Sequence, residues 1–281
     1  MNSLLSALEL SHIAGYLASL LIGIALGLIG GGGSILTVPV LVYLFGVEPV
    51  KATAYSLFIV GLSSLVGAYP KYREGMVNMR TAIIFGIPSI AAVFITRKFL
   101  VPLIPQEVFR IGGFLVTKSM LMMLLFAILM VAASVSMIRE GKSSNGNGEP
   151  QPQVFNYPLI MLEGLVVGLL TGLVGAGGGF LIIPALVVLS KLPMKQAVGT
   201  SLLIIAAKSL IGFTGDLSEY SMDWPLLATV SAIAVAGIFA GNALSKKVDG
   251  NRLKKGFGWF VLVMGIYILI KEGFMGGDGG H

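Results

Sequence analysis

Apolar runs that approach or exceed bilayer length recur along this chain, separated by short polar stretches. Crossing the hydrocarbon core takes about 20 apolar residues in a helix. Residues 12–29, 51–69, 81–96 and 113–138 read as membrane segments in the first half, and 157–174, 194–214, 225–244 and 257–271 in the second. Two further apolar pieces, 35–46 and 180–190, are too short to cross alone. Between the halves lies a polar stretch, 139–153, rich in Gly, Ser, Asn, Gln and Pro, which reads as a flexible linker. The pattern predicts an all-α polytopic membrane protein with an N-terminal unit (1–138), a linker (139–153) and a C-terminal unit (154–281).

Glycine runs break the apolar pattern at two matching places. Gly30-Gly31-Gly32-Gly33-Ser34 follows the first membrane segment and leads to Pro39; Gly175-Ala176-Gly177-Gly178-Gly179 follows the segment 157–174 and leads to Pro184. A glycine costs a helix interior about 1 kcal/mol relative to alanine, so a continuous helix has no use for such a run. A broken helix does, because glycine lets the backbone turn and present its N–H groups. Superposing Pro39 on Pro184 gives an offset of 184 − 39 = 145, and at that offset 17 of the 41 positions from Gly27 to Gly67 are identical to those from Gly172 to Gly212. Biased composition alone would give roughly a tenth. The chain therefore contains a repeat of about five apolar segments per half, with glycine-broken and partly re-entrant helices. Gly23 and Gly27 in the first half, and Gly164, Gly168 and Gly172 in the second, are spaced by four, the pattern of closely packed membrane helices.

Charge adds orientation. The chain is only 11% charged and 56% hydrophobic, far from the roughly 25% charged residues of a soluble domain. Its net charge of +6 comes from loops flanking membrane segments and implies no nucleic-acid partner. Lys71 and Arg73 lie in one loop, whereas the equivalent loop of the second half carries Asp216, Glu219 and Asp223. Equivalent loops of opposite charge, with an odd number of segments per half, predict that the halves insert with opposite topology. The basic loop 245–255 then lies inside with the linker, and both termini lie outside. Arg97, Lys98, Arg110 and Lys51 fall on the wrong side of that scheme. The first apolar run lacks a basic leader and a cleavage signature, so it reads as a retained membrane segment.

The chemistry available is narrow. There is no cysteine, and the two histidines, His12 and His281, form no metal cluster. The first glycine run lacks the lysine of a phosphate-binding loop, and the second is no dinucleotide fingerprint. No cofactor is expected. Inverted repeats with helices interrupted at matching positions are a physical signature of secondary transporters. If a helix restarts after each run, its free N–H groups favour an anion. The candidate binding residues are Gly31, Gly32, Gly33 and Ser34 in the first run, Gly177, Gly178 and Gly179 in the second, and Tyr55, Ser56, Thr200 and Ser201 early in the following segments. Lys208, mid-segment, is the most informative charge: a lysine at depth faces a cavity or a partner, either an anion or a structural acid such as Glu163, or else snorkels to an interface. Lys118, near a segment end, is expected to snorkel.

The stretches Gly27–Leu41 and Gly172–Leu186, followed by Ala52-Thr53-Ala54-Tyr55-Ser56 and Ala197-Val198-Gly199-Thr200-Ser201, resemble the sulfite exporter TauE/SafE family over nearly the whole chain. The resemblance implies a bacterial or archaeal cytoplasmic-membrane transporter of sulfite, thiosulfate, sulfoacetate or another small organosulfur anion. It also places the glycine runs and the Ala-x-x-Thr/Tyr-Ser segments at the family's most characteristic positions. The first copy has Tyr55 where the second has Thr200. The expected partners are a small anion, the lipid bilayer and a coupling ion or proton, with a homodimer left open by the glycine-rich faces. The alternative is a passive anion channel; an enzyme is not expected, because no nucleophile–base pair accompanies Glu163 or Lys208.

Overall fold

The structure is a computed structural model that describes residues 2–111, 114–139, 157–188, 192–245 and 250–275. In the first half, α1 (Asn2–Ile29) ends at a glycine break, a tight 3₁₀ turn (Gly31–Leu36) leads into the short α2 (Thr37–Tyr43), and α3 (Pro49–Arg73) and α4 (Met79–Ile95) follow. A π-helical turn, Thr96–Leu100, extends α4. A small antiparallel hairpin, β1 (Glu107–Ile111) with β2 (Phe114–Thr117), precedes α5 (Lys118–Arg139). The second half holds α6 (Tyr157–Val174), α7 (Gly179–Val188), α8 (Met194–Thr214), α9 (Trp224–Leu244) and α10 (Gly250–Ile270). The expected linker, 139–153, lies outside the described residues apart from Arg139.

The helix starts are written in the sequence. Glu48 caps α3, its carboxylate accepting from the N–H groups of Val50 (3.2 Å) and Lys51 (3.1 Å), and Pro49 fills the first turn, where no donor is lost. Asn78 caps α4 by accepting from the Thr81 N–H at 3.0 Å, and Asp223 caps α9 by accepting from the Leu226 N–H at 3.1 Å. These last two are the same cap in each half: 223 − 78 and 226 − 81 both equal 145. The 145-residue offset also carries the first residue of α3 onto that of α8, that of α4 onto that of α9, and the end of α1 onto the end of α6.

Packing follows the same offset. Helix α1 lies against α9, and α6 lies against α4. Glycines permit the approach: a Cβ on Gly23 would collide with the Ala234 carbonyl, and one on Gly168 with the Ser89 carbonyl, which are equivalent pairs in the two halves. Helices α3 and α8, themselves equivalent, pack against each other and are the most buried of the long helices, and α5 lies against α10.

Seven helical stretches among the described residues are long and apolar enough to cross a membrane: 11–29, 49–73, 79–103, 118–135, 157–174, 194–214 and 224–244. The outside of the bundle is apolar, with Leu21, Ile87, Leu162, Phe239 and Val263 each more than half exposed, whereas Ser56, Ser64, Arg97, Lys208 and Ser209 are fully buried. Apolar outside and polar inside is the arrangement of a protein solvated by lipid. The segments read from the sequence are all present as helices. Some details differ. Helices α1 and α10 start earlier than the apolar runs, at Asn2 and Gly250, and the expected segment 113–138 is helical only from Lys118, because Glu107–Ile111 pairs with Phe114–Thr117 as the hairpin. Lys118 does not snorkel: it is 4% exposed.

The glycine contacts lead to a prediction. Gly168→Leu puts a side chain where the Ser89 carbonyl sits, and overpacking of this kind costs at least about 1–3 kcal/mol. The variant is expected to unfold at lower temperature than wild type in detergent; an unchanged melting curve would show that α4 and α6 are not in this contact.

Candidate functional site

The two glycine breaks begin alike. The Gly30 N–H donates to the Leu26 carbonyl and the Gly175 N–H to the Thr171 carbonyl, both at 2.8 Å. Gly30 (φ 78°) and Gly175 (φ 72°) then turn the chain through the left-handed region that glycine alone enters cheaply. Beyond this point they diverge. The first break runs on as the 3₁₀ turn containing Gly31, Gly32, Gly33 and Ser34, with the Ser34 hydroxyl donating to the Gly31 carbonyl at 2.7 Å. The second takes two more left-handed residues, Gly177 (φ 64°) and Gly178 (φ 66°), and restarts as α7 at Gly179.

The breaks meet. A Cβ on Gly31 would strike the backbone of Gly179, and one on Gly179 would strike Gly31. Around this contact, Val60 of α3 and Ile205 of α8 stand beside Gly177, and the Ser201 hydroxyl stands beside Gly30. The Lys208 ammonium lies 2.7 Å from where a Cβ on Gly178 would be. Lys208 is fully buried, and its Nζ donates to the Thr171 hydroxyl of α6 at 3.0 Å. No carboxylate lies within ion-pair distance of it among the described residues, Glu163 included. The hydroxyls of Ser56, Ser63 and Ser64 on α3 and of Ser209 on α8 are buried without a hydrogen-bond partner among the described residues. At the start of α7 the Leu181 and Ile182 N–H groups donate to the Gly178 carbonyl (3.0 and 3.1 Å), and the N–H groups ahead of them have no intrahelical acceptor. The interior of the molecule thus offers, next to the second break, a buried ammonium with no acid beside it among the described residues, and elsewhere on α3 and α8 buried serine hydroxyls without partners.

The predicted site residues divide into three groups. Gly31, Gly177, Gly178, Gly179 and Lys208 are brought together, with Ser201 at the Gly30 side and Ser56 buried on α3. Gly32, Gly33 and Ser34 belong to the 3₁₀ turn itself: a Cβ on Gly33 would meet α1, and Ser34 closes its own turn, as the Ser201 hydroxyl is likewise spent on the Val198 carbonyl at 2.9 Å. Tyr55 and Thr200 have another task. The Tyr55 hydroxyl accepts from the Asp223 N–H at 2.7 Å, and the Thr200 hydroxyl accepts from the Asn78 N–H at 2.9 Å. These bonds are equivalent under the 145-residue offset, and each ties the cap of α9 or α4 to a helix of the other half. They also account for the Tyr/Thr difference, since either residue supplies the one acceptor required.

Sequence reasoning missed Arg97 and Asp216. Both are fully buried. The Arg97 Nε donates to the Asp216 carboxylate at 2.7 Å, and its Nη1 donates to the Thr53 hydroxyl (2.9 Å) and the Gly172 carbonyl (3.2 Å). Gly172 adjoins Thr171, so the two buried cations, Lys208 and Arg97, hold neighbouring residues in the last turn of α6, just before the second break. Burial pushes the Asp216 carboxyl above the usual carboxylate range, while the Arg97 guanidinium pulls it down. The pair explains why Arg97 fits no charge rule for loops: it is not in a loop. The signal was the apolar run resuming at Phe99-Leu100-Val101, which places Arg97 inside the helical stretch 79–103.

The family model described as sulfite exporter TauE/SafE matches residues 16–268. The chain belongs to the sulfite exporter TauE/SafE family. Among curated relatives, a probable membrane transporter protein of Xylella fastidiosa (strain 9a5c) is 29% identical over 256 residues, spanning 90% of this chain and 92% of that one. The probable membrane transporter protein YdhB of Bacillus subtilis is 27% identical over 255 residues, 90% of this chain and 98% of its own. In Methanocaldococcus jannaschii, the probable membrane transporter protein MJ0441 is 34% identical over 117 residues, 40% and 44% of the two chains. No solved structure matches. This TauE/SafE chain is a multi-pass membrane transporter, and the names of its relatives are those of transporters rather than enzymes.

The split between binding and capping residues is testable. Tyr55→Phe and Thr200→Val each remove one acceptor from a backbone N–H, a loss of about 1 kcal/mol. Both are expected to lower the melting temperature and to transport as wild type does below it. A loss of transport at an unchanged melting temperature would make them ligand contacts instead.

Proposed function

We propose that this protein is a secondary transporter that carries a small sulfur-containing anion, such as sulfite, thiosulfate or a sulfonate like sulfoacetate, across the cytoplasmic membrane by alternating access. One observation carries the reading: Lys208 is fully buried at the second glycine break with no acid beside it among the described residues. Removing one partner from a buried ion pair costs about 3–5 kcal/mol, because the remaining charge is left uncompensated. An anion bound against Lys208 would supply the missing charge. Sulfite, thiosulfate and sulfonates offer several acceptor oxygens to one small volume, which suits an ammonium, the amide ends of α7 and unspent serine hydroxyls. Glycine on every side of the contact keeps the site small. The family name adds the sulfur chemistry.

Alternating access is supported by the symmetry of the packing and by burial. The halves pair their helices equivalently across the offset, as expected of inverted repeats that rock about a central site. Ser34, Ser56, Thr200, Ser201 and Lys208 are all 0% exposed. A ligand reaches such a site only when one half shifts against the other. A passive channel would instead keep a wet path through it.

Lys208→Met separates binding from folding. Exchanging an uncompensated buried charge for an apolar chain of similar length is neutral or stabilising. The variant is therefore expected to melt at or above the wild-type temperature without anion. It should also lose both the stabilisation that thiosulfate, sulfite or sulfoacetate gives wild type and anion flux into proteoliposomes. Wild-type anion response in Lys208→Met would refute the site.

A further inference from the structure

The pair Arg97–Asp216 is not explained by anion binding alone. It joins the halves: Arg97 extends α4, whereas Asp216 follows α8. Arg97 holds Thr53 of α3 on one side and Gly172 of α6 on the other, so its guanidinium spans the junction of the two halves beside the second break. Each partner also keeps one unspent atom. Arg97 Nη2 and Asp216 Oδ1 are buried without a hydrogen-bond partner among the described residues. A purely structural clamp would have no reason to leave a donor and an acceptor open at this depth, since each loses its hydration without a replacement bond.

We infer that Asp216 is a proton-binding site that couples transport to the proton gradient, with Arg97 as its ion-pair partner in the state seen here. This inference rests on the transporter reading above. Its physical basis is the cost of separating the pair. If the halves move apart at this junction, a guanidinium and a carboxylate are both left buried and alone, which the interior does not tolerate. A proton on Asp216 neutralises one of the two and leaves Arg97 free to face an anion. An anion arriving beside Lys208 and Arg97 adds negative potential and favours that proton, and by linkage the proton favours the anion equally. Anion and proton therefore travel together, one with one. The charged and titratable groups that act on Asp216 besides Arg97 are Glu219 in its own loop and Lys118 at the start of α5. Tyr220 and the α3 cap Glu48 complete the cluster, Glu48 also accepting from the Ser119 hydroxyl at 2.8 Å. Glu219 is exposed, and the Glu48 carboxylate is engaged with the α3 N–H groups, which leaves Asp216 as the buried acid of the junction.

The test uses the full chain in lipid. Acidification is followed by infrared difference spectroscopy, which reports the carbonyl stretch of a newly protonated carboxyl. Wild type and Glu219→Gln should show a band that Asp216→Asn lacks, and thiosulfate should move its midpoint to higher pH. In proteoliposomes, thiosulfate, which remains a dianion near neutral pH, should accumulate when the outside is acidic, and a protonophore should abolish that accumulation. Asp216→Asn should lose the pH drive yet still exchange labelled for unlabelled thiosulfate. The same band in Asp216→Asn overturns the site. Wild-type flux indifferent to the pH gradient overturns the coupling and leaves the transporter reading standing, and that outcome needs no variant to fold. A wild type that exchanges no thiosulfate, sulfite or sulfoacetate overturns the transporter reading itself, whatever the infrared band shows.

Discussion

In hydrocarbon, a backbone amide that leaves its helix has no water to turn to. Every other feature of this protein answers to that constraint. A break such as Gly30–Ser34 exposes amides, and it survives only where protein covers it. Part of the cover is the other break. Gly31 and Gly179 touch backbone to backbone, so each interruption is shielded by its counterpart, and α3 and α8 pack together beside the junction. Each half covers part of its own break, Gly33 against α1 and Gly178 against Thr171, and the other half covers the rest.

Once a protein-lined interior exists at the centre of the bundle, it tolerates groups that lipid would not. Lys208, Arg97 and Asp216 occupy it, together with hydroxyls that remain unspent. The sum is two cations and one acid among the groups that touch the last turn of α6 or one another. Such an imbalance is destabilising on its own terms, and under the proposed function a bound anion would relieve it. The last turn of α6 receives both cations, so a movement at the break is felt by both at once.

Much of this was legible in the sequence because the fold obeys periodicities that the sequence carries openly. The helices, the glycine breaks and the 145-residue offset follow from apolar run length and from Gly and Pro placement, and α8 spans the same residues, 194–214, as the apolar run. The hairpin at 107–117 did not announce itself, since Phe109 to Val116 is apolar enough to pass for the start of a helix. The roles of individual hydroxyls were less legible still. Tyr55 and Thr200 have the donors and acceptors of ligand contacts, and only the placement of Asp223 and Asn78 reveals what they hold. Arg97 was obscured by its neighbour: Arg97-Lys98 looks like a loop, yet Arg97 is buried and Lys98 lies over the Phe94 ring. A pairing between residues 119 positions apart has no local signature.

The buried pair also breaks the equivalence that the packing otherwise keeps. Under the same offset Arg97 corresponds to Asn242, and Asp216 to Lys71. Two copies of the first half would bring two guanidinium groups and two lysines to the places that one arginine and one aspartate share, with no acid to neutralise them. Two copies of the second would bring two carboxylates and two amides. Each half has become a specialist that only the other completes, so an ancestral self-pairing repeat is no longer recoverable by cutting this chain in two.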